Sequence, residues 1–319
     1  MQEILTAGRY WREKFGITVY KIPISLLGFT CPNIDGTVAR GGCIFCENES
    51  FSPNLEHKQS KKFYLHPTKP ENPYLEFQLR QLEAQYRKTK AVLQKKFGAQ
   101  KFIIYFQSFT NTYAPLDTLR VLYETALSLE DVVGLSIGTR TDSITEETLG
   151  YLQKLSKQHE IWVEYGVQSI YDETLTKINR GHDVANLSNI LHLTCKTYEL
   201  NTCAHLIFGL PDETQEMMLQ SVQFALEHGV KSLKIHPLYV VKQTALANDF
   251  NKGKFIPITE EAYIETLVKA LVMVPKEVMI QRVSAGISND TLLAPLWCGN
   301  KHHQMDKIKI ALKKENIDY

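Results

Sequence analysis

The chain is short of several things that would settle its class early. A formal net charge of +1 over 319 residues gives no global basic field, so a nucleic-acid role must come from a local patch. No apolar run approaches a membrane span, and even Ile264 to Val274 is broken by Glu265 and Lys269. The opening residues Met1 to Lys14 carry charged side chains where an export signal needs an apolar core, so the expected location is the cytoplasm. The six cysteines are then expected to stay reduced, which excludes a disulfide framework or a disulfide-linked partner and leaves metal binding. No G-x-G-x-x-G is present, which removes a dinucleotide fingerprint. With 44% hydrophobic and 22% charged residues, the composition is that of a soluble globular protein.

What the chain does have is a cysteine triplet. Cys31, Cys43 and Cys46 stand at C-x11-C-x2-C spacing in a loop carrying Gly28, Gly36, Gly41 and Gly42, straight after an apolar run from Val19 to Leu27. Three thiolates suit a soft metal centre, either zinc or an iron–sulfur cluster. A structural zinc site wants four ligands, and neither a fourth cysteine nor a well-spaced histidine lies nearby, His57 being the nearest. A [4Fe–4S] cluster on three cysteines instead leaves one iron open to chemistry. Cys195, Cys203 and Cys298 read as buried free thiols, although the polar loop Trp297 to His303 places Cys298 where it could cap the site.

The rest of the chain alternates short apolar runs with helical segments. The expected strands are Val19–Leu27, Lys101–Gln107, Val132–Ile137, Ile161–Gln168, Thr202–Phe208 and Ser232–Leu238. Helices are expected over 1–16, from Leu75 to Phe97, and over Leu116–Leu129, Thr145–Lys157, Asp172–Ile178, Val184–Tyr198 and Glu213–His228. Residues 47–74 are polar and dotted with proline, a surface excursion. Strands and helices of this length in strict alternation predict an α/β fold with a parallel sheet, either doubly wound or a partly open barrel. Residues 245–319 lack the pattern and read as a C-terminal α-rich extension over the barrel mouth, with helices near Glu260–Val274 and His302–Lys314.

A three-cysteine loop after the first of six βα units resembles the radical S-adenosylmethionine superfamily, as does Phe45 just before the last cysteine. The long first interval is similar to the branch containing the radical subunit of Elongator. Glu164-Tyr-Gly-Val-Gln-Ser-Ile-Tyr-Asp172, Asn179-Arg-Gly-His182 and His205-Leu-Ile-Phe-Gly-Leu-Pro-Asp-Glu-Thr214 resemble strand motifs of that branch and of oxygen-independent coproporphyrinogen oxidases. Across nearly its whole length the chain resembles the bacterial YhcC-type family, which lacks the Elongator acetyltransferase domain. The resemblance implies a partial (β/α)6 TIM-like barrel over 1–244, with a [4Fe–4S] cluster on Cys31, Cys43 and Cys46. It implies S-adenosylmethionine on the open iron, and reductive cleavage to a 5′-deoxyadenosyl radical fed by a donor such as flavodoxin or ferredoxin.

Carried over position by position, the resemblance puts Phe45 near the adenine and Gln107 and Ser108 at a turn offering backbone carbonyls to the methionine amino group. It sets Thr139 beside Gly138, where relatives carry an acidic residue, and gives Gln168 and His205 the ribose and Arg180 the carboxylate. From alternation alone, Lys234 and His236 share the inward face of the sixth strand. A satisfied core histidine is the plain reading there, and a catalytic or substrate contact by Lys234, His236 or Cys298 the functional one. Glu164 has the same inward parity and reads as a buried, hydrogen-bonded carboxylate. The substrate implied by the branch is a tRNA wobble uridine, with phosphate contacts from Arg80 to Lys96 and the lysine-rich end. The alternatives are a porphyrin-like small molecule, or a non-catalytic iron–sulfur or zinc protein that binds RNA; the charged helix face is otherwise a solvated surface.

Overall fold

A computed structural model of the chain describes residues 2–47, 64–287 and 290–319. Most of the expected excursion over 47–74, including His57, lies outside the described residues; 64–74 are coil and turns. Seven parallel strands form one sheet in chain order: β1 (Val19–Ile24), β2 (Lys101–Phe106), β3 (Val132–Thr139), β4 (Glu160–Gln168), β5 (Asn201–Phe208), β6 (Ser232–Pro237) and β7 (Met279–Arg282). The α/β class and the partial parallel barrel stand as expected. The strand count does not: β7 comes from the segment assigned to the extension and pairs with β6 through Ser232–Met279 and Leu233–Ile280.

The helices alternate with the strands. The longer ones are α1 (Ala7–Phe15), α2 (Leu75–Phe97), α3 (Leu116–Ser128), α4 (Glu146–Ser156), α5 (Val184–His192), α6 (Gln215–Glu227), α7 (Glu260–Met273) and α8 (Lys301–Lys314), and the expected Asp172–Ile178 helix is the short Asp172–Lys177. Their ends follow local chemistry. Thr145 caps α4 by accepting from the Thr148 N–H at 3.2 Å, with Glu146 and Glu147 in the first turn against the helix dipole. The expected helix Val184–Tyr198 ends at His192 and continues as a π-helical turn, Leu193–Thr197. No helix of the described residues is long and apolar enough to cross a membrane.

Alternation along the strands divides the molecule. Ile22, Ile24, Ile104, Phe106, Leu135, Val163, Tyr165, Leu206, Phe208 and Ile235 face the helices in one apolar core. The opposite parity, with Lys21, Tyr105, Glu164, His205 and Lys234, faces inward. The sheet curls enough for its first and last strands to meet through side chains: the Lys21 Nζ on β1 donates to Gln281 Oε1 on β7 at 2.6 Å. Tyr263 of α7 ties β7 to the barrel, donating to the Val283 carbonyl at 2.9 Å and reaching the Ile235 carbonyl at 3.3 Å. At the N-terminal end of the strands, α1 closes the barrel, with Tyr10 edge-on to Trp162 at 5.8 Å.

The closeness of β3 and β4 gives a direct stability prediction. A Cβ added at Gly134 would stand 1.9 Å from the Glu160 carbonyl oxygen of the neighbouring strand, a contact that only backbone movement relieves. Gly134→Ala is therefore expected to destabilise the fold by roughly 1–3 kcal/mol, the usual cost of overpacking. Denaturant unfolding checks this, and an unchanged midpoint would show that the strands separate freely there.

Candidate active site

The cysteine loop is held by backbone and amide contacts, not by its thiols. Cys31 opens a short helix, Pro32–Asp35, that stops at Gly36 with φ 92°. Asn179 then clamps the loop, donating from Nδ2 to the carbonyls of Gly42 at 2.7 Å and Arg40 at 3.2 Å. In return, Asn33 Nδ2 donates to the carbonyls of Asn179 at 2.5 Å and Arg180 at 2.9 Å. The approach explains Gly181 in that motif: its φ is +81°, and a Cβ would meet Asn33 Oδ1 at 2.5 Å.

Two guanidinium groups point at the sulfurs. Arg140 Nη1 lies 3.7 Å from Cys31 Sγ, and Arg180 Nη1 lies 3.7 Å from Cys43 Sγ. Arg140 is fixed by Asp142, whose two oxygens accept from Nε at 2.8 Å and Nη2 at 2.5 Å. Burial alone would raise the Asp142 carboxyl, but the bidentate Arg140 outweighs it and holds it low. Burial pushes the Cys46 thiol up, with Cys43 and Cys31 adding to the shift, so metal binding here must expel protons.

These groups stand at one end of a cavity of about 1320 Å³ running along the inside of the sheet. Its lining brings together Cys31, Cys43, Cys46, Phe45, Gln107, Thr139, Gln168, Arg180, His205, Lys234 and His236. Two buried polar atoms here, Gln168 Oε1 and Arg180 Nε, have no partner among the described residues. Gly166 leaves room for both side chains, since a Cβ there would lie 2.6 Å from Gln168 Nε2 and 2.7 Å from Arg180 Nη2.

Two expected site residues do not line the cavity with their side chains. Ser108 is buried behind the turn against the Ser25 hydroxyl, because Phe109, at φ 63°, swings the chain so that Gln107 and Phe109 face the cavity. Cys298 is fully buried, and the cavity wall is formed by the residues after it, from Gly299 to His302. Its thiol is pushed up to about 12 by burial and by Glu260. Thr139 faces the cavity with its hydroxyl 2.5 Å from that of Thr112.

The middle of the barrel holds a charged layer instead of the branched aliphatics that fill an ordinary barrel. Glu164 is fully buried and accepts from Lys21, Lys234 and Ser136, and from His205 Nε2 at 2.8 Å. His205 thus faces a carboxylate at this level. Lys21, missed by sequence reasoning, had a signal: a lysine centred in an apolar strand with the inward parity of Glu164. Burial, with Lys234 nearby, lowers the His205 imidazole to about 4 against the pull of Glu164. Between pH 6.5 and 4 the unfolded chain then binds the extra proton, so this histidine makes stability fall as pH falls, by roughly 2–3 kcal/mol. His205→Gln should flatten that limb of the pH–stability curve; an unchanged slope would mean the proton goes elsewhere.

Among the described residues, the three metal-type ligands gathered within 4.8 Å of one another are Glu164, Cys203 and His205, not the cysteine triplet. Two ammonium groups already lie on that carboxylate, so a cation there would meet two positive charges. The triplet is spread more widely, as separately ligated irons need and one zinc ion does not.

Residues 35–225 match the family model described as the radical SAM superfamily, and residues 230–314 match the radical SAM C-terminal domain. The chain belongs to the radical SAM superfamily. It is 34% identical to protein YhcC of Escherichia coli K12 over 307 residues, covering 96% of this chain and 91% of that one. A tRNA uridine(34) acetyltransferase of Methanocaldococcus infernus is 33% identical over 158 residues, 49% of this chain and 29% of the relative. The structure of archaeal Methanocaldococcus infernus Elp3 with an N-terminal deletion superposes with a TM-score of 0.61 at 19% identity, covering 93% of this chain and 63% of that one, which shows a shared fold. Membership makes this radical SAM chain an enzyme and implies S-adenosylmethionine and an iron–sulfur cluster. Its thiols with N–H donors aimed at them, and the unpartnered Arg180 Nε and Gln168 Oε1 beside them, fit both groups.

Proposed function

We propose that this radical SAM enzyme holds a [4Fe–4S] cluster on Cys31, Cys43 and Cys46, cleaves S-adenosylmethionine reductively, and acts on a wobble uridine of tRNA. The observation that carries the reading is the pair of guanidinium N–H groups on Cys31 and Cys43 at the rim of a deep cavity. Hydrogen bonds to sulfur favour the thiolate and tune a cluster's potential. When bound, the two groups supply a 5′-deoxyadenosyl radical that takes a hydrogen atom from the substrate. Arg180 Nε would hold the cofactor carboxylate, Gln168 Oε1 a ribose hydroxyl, and Phe45 the adenine. The Gln107 backbone would accept from the amino group, and Thr139 would line the ribose side. A flavodoxin or ferredoxin would deliver the electron, in the reducing cytoplasm that keeps the thiols free.

The tRNA part rests on similarity to a tRNA uridine(34) acetyltransferase and on local basic surfaces. On α2, Arg80, Lys88, Lys95 and Lys96 are exposed, whereas Lys90 is committed to Glu130 at 2.8 Å and Asp131 at 2.9 Å. On α8, Lys309, Lys313 and Lys314 are exposed and Lys307 is paired with Glu260. Such patches predict modest, salt-sensitive binding. The cofactor chemistry is tested by anaerobic reconstitution, dithionite reduction and chromatography for 5′-deoxyadenosine; a cluster-loaded protein yielding none overturns it. The substrate is tested by comparing tRNA nucleosides from deletion and parent strains, and identical profiles overturn that half alone.

A further inference from the structure

The cavity is strongly unbalanced in charge. Among the described residues, seven of its lining side chains are arginine or lysine, and the only carboxylate among them is Glu164. At the cysteine end, Arg140 is neutralised by Asp142, and Arg180 is the group assigned to the cofactor. Away from that end, Lys21 and Lys234 share the one carboxylate. Arg282, at the end of β7, and Lys301, at the start of α8, have no ion pair among the described residues, although both line the cavity. Burial and the Arg282 charge together depress the Lys301 ammonium, so two like charges are held close with no anion between them.

Two neutral groups in the same wall also lack partners. Gln281 spends its Oε1 on Lys21, and its buried Nε2 donates to nothing among the described residues. His236 Nε2 is likewise buried and unpartnered, and burial with the neighbouring Arg282 keeps its ring neutral. Unsatisfied buried polar atoms are costly, and the Gln281 amide donor with the His236 ring beside unpaired cations makes a place suited to an acceptor. The volume, about 1320 Å³, exceeds the few hundred to about 1,000 Å³ of an ordinary small-molecule pocket. There is room for a second molecule beyond the cofactor.

We propose that the wall formed by Lys21, Lys234, His236, Gln281, Arg282 and Lys301 seats an anionic group of the substrate, a phosphate or a carboxylate. The proposal deepens the functional reading and rests on it only in taking the cysteine end for the cofactor. Arg282 and Lys301 are exposed enough to close on the anion's outer side, whereas Gln281 and Lys21 lie at its base. A one-signed cleft with low-dielectric walls also draws an anion inward before it docks.

Calorimetric titration of the full-length chain at low salt, with inorganic phosphate and separately with succinate, tests this. Saturable binding of at least one anion is expected, and the tighter of the two identifies the chemistry of the group. Arg282→Gln and Lys301→Gln should each weaken it about tenfold, the worth of one charge-assisted hydrogen bond. Circular dichroism melting shows whether each variant is folded, and the two serve as substitutes for one another. If wild-type protein binds neither anion, the seat does not exist. If Arg180→Gln abolishes binding while Arg282→Gln and Lys301→Gln leave it intact, the anion sits at the cysteine end and the proposal is wrong. Because these are binding measurements, a protein that fails to make 5′-deoxyadenosine but binds phosphate at this wall would sink the cofactor reading alone.

Discussion

Replacing any one of Cys31, Cys43 or Cys46 by alanine is expected to abolish reductive cleavage of S-adenosylmethionine while leaving the chain folded. Each thiolate would hold a separate iron, so no remaining cysteine can stand in for a lost one. The loop keeps its shape without the sulfurs, because its anchors are Asn33 and Asn179 on backbone carbonyls, together with the Ile44 N–H on the Ile178 carbonyl at 3.1 Å. Removing a partner of a metal ligand typically costs about 10–100-fold, so loss of a ligand itself should exceed about 100-fold. Arg180→Gln should fall inside that smaller range, since it removes the N–H on Cys43, the bond to the Gly166 carbonyl at 2.6 Å and the proposed carboxylate contact, but no ligand. Cys195→Ala, in the outer core in the turn after α5, should keep full iron content. Iron per chain, the visible spectrum after anaerobic reconstitution and 5′-deoxyadenosine yield are the measurements. A cysteine variant that keeps both its iron and its product yield would remove that residue from the site.

The order of strands and helices was legible because the first six strands are compact apolar runs and five of the helices start at a threonine or aspartate cap, Thr6, Thr145, Asp183, Thr214 and Thr259. Strand β7 was not. Met279-Ile-Gln-Arg282 offers just two apolar residues, and its other two face the cavity as polar side chains, so neither alternation nor an apolar run marks it. The cysteine triplet, Gln168 and Arg180, which the fold brings to one cavity, could be singled out because they carry a pattern in sequence. That the Ser108 and Cys298 side chains are buried off the cavity was not legible, because burial within a loop turns on single backbone angles, such as the positive φ of Phe109, that neighbouring residues do not disclose. The charged layer was half visible: Glu164, Lys234 and His236 followed from parity, but their meeting with Lys21 and Gln281 depends on how far the sheet curls. Curvature is a property of the closed sheet, which no single strand encodes.

That charged layer gives the largest expected effect on stability. Glu164→Gln leaves the Lys21 and Lys234 ammonium groups facing one another inside the barrel, with His205 losing its partner. Breaking a buried ion network from one side typically costs about 3–5 kcal/mol, a large part of the roughly 5–15 kcal/mol that holds a domain folded. The sign of its pH dependence follows from the native groups. Burial acts against the Glu164 charge, yet Lys21 and Lys234 outweigh it and hold the carboxyl well below its usual range, so the ion network is in place at neutral pH. Lys21 itself is lowered to about 8, chiefly by burial, with Lys234 opposing the pull of Glu164. Between its native and unfolded pKa the unfolded chain binds the extra proton, so this lysine makes stability rise with pH from about 8 towards 10.5. Removing the carboxylate pushes that window lower. The Glu164→Gln variant should therefore recover part of its loss between pH 7 and pH 9, and Lys21→Met in the same background should restore stability at pH 7 by removing one of the opposed charges. Urea unfolding at the two pH values, in the single and double variants, measures both effects. A deficit that is equal at pH 7 and 9 and untouched by Lys21→Met would mean that the two ammonium groups do not depend on Glu164 to share the barrel.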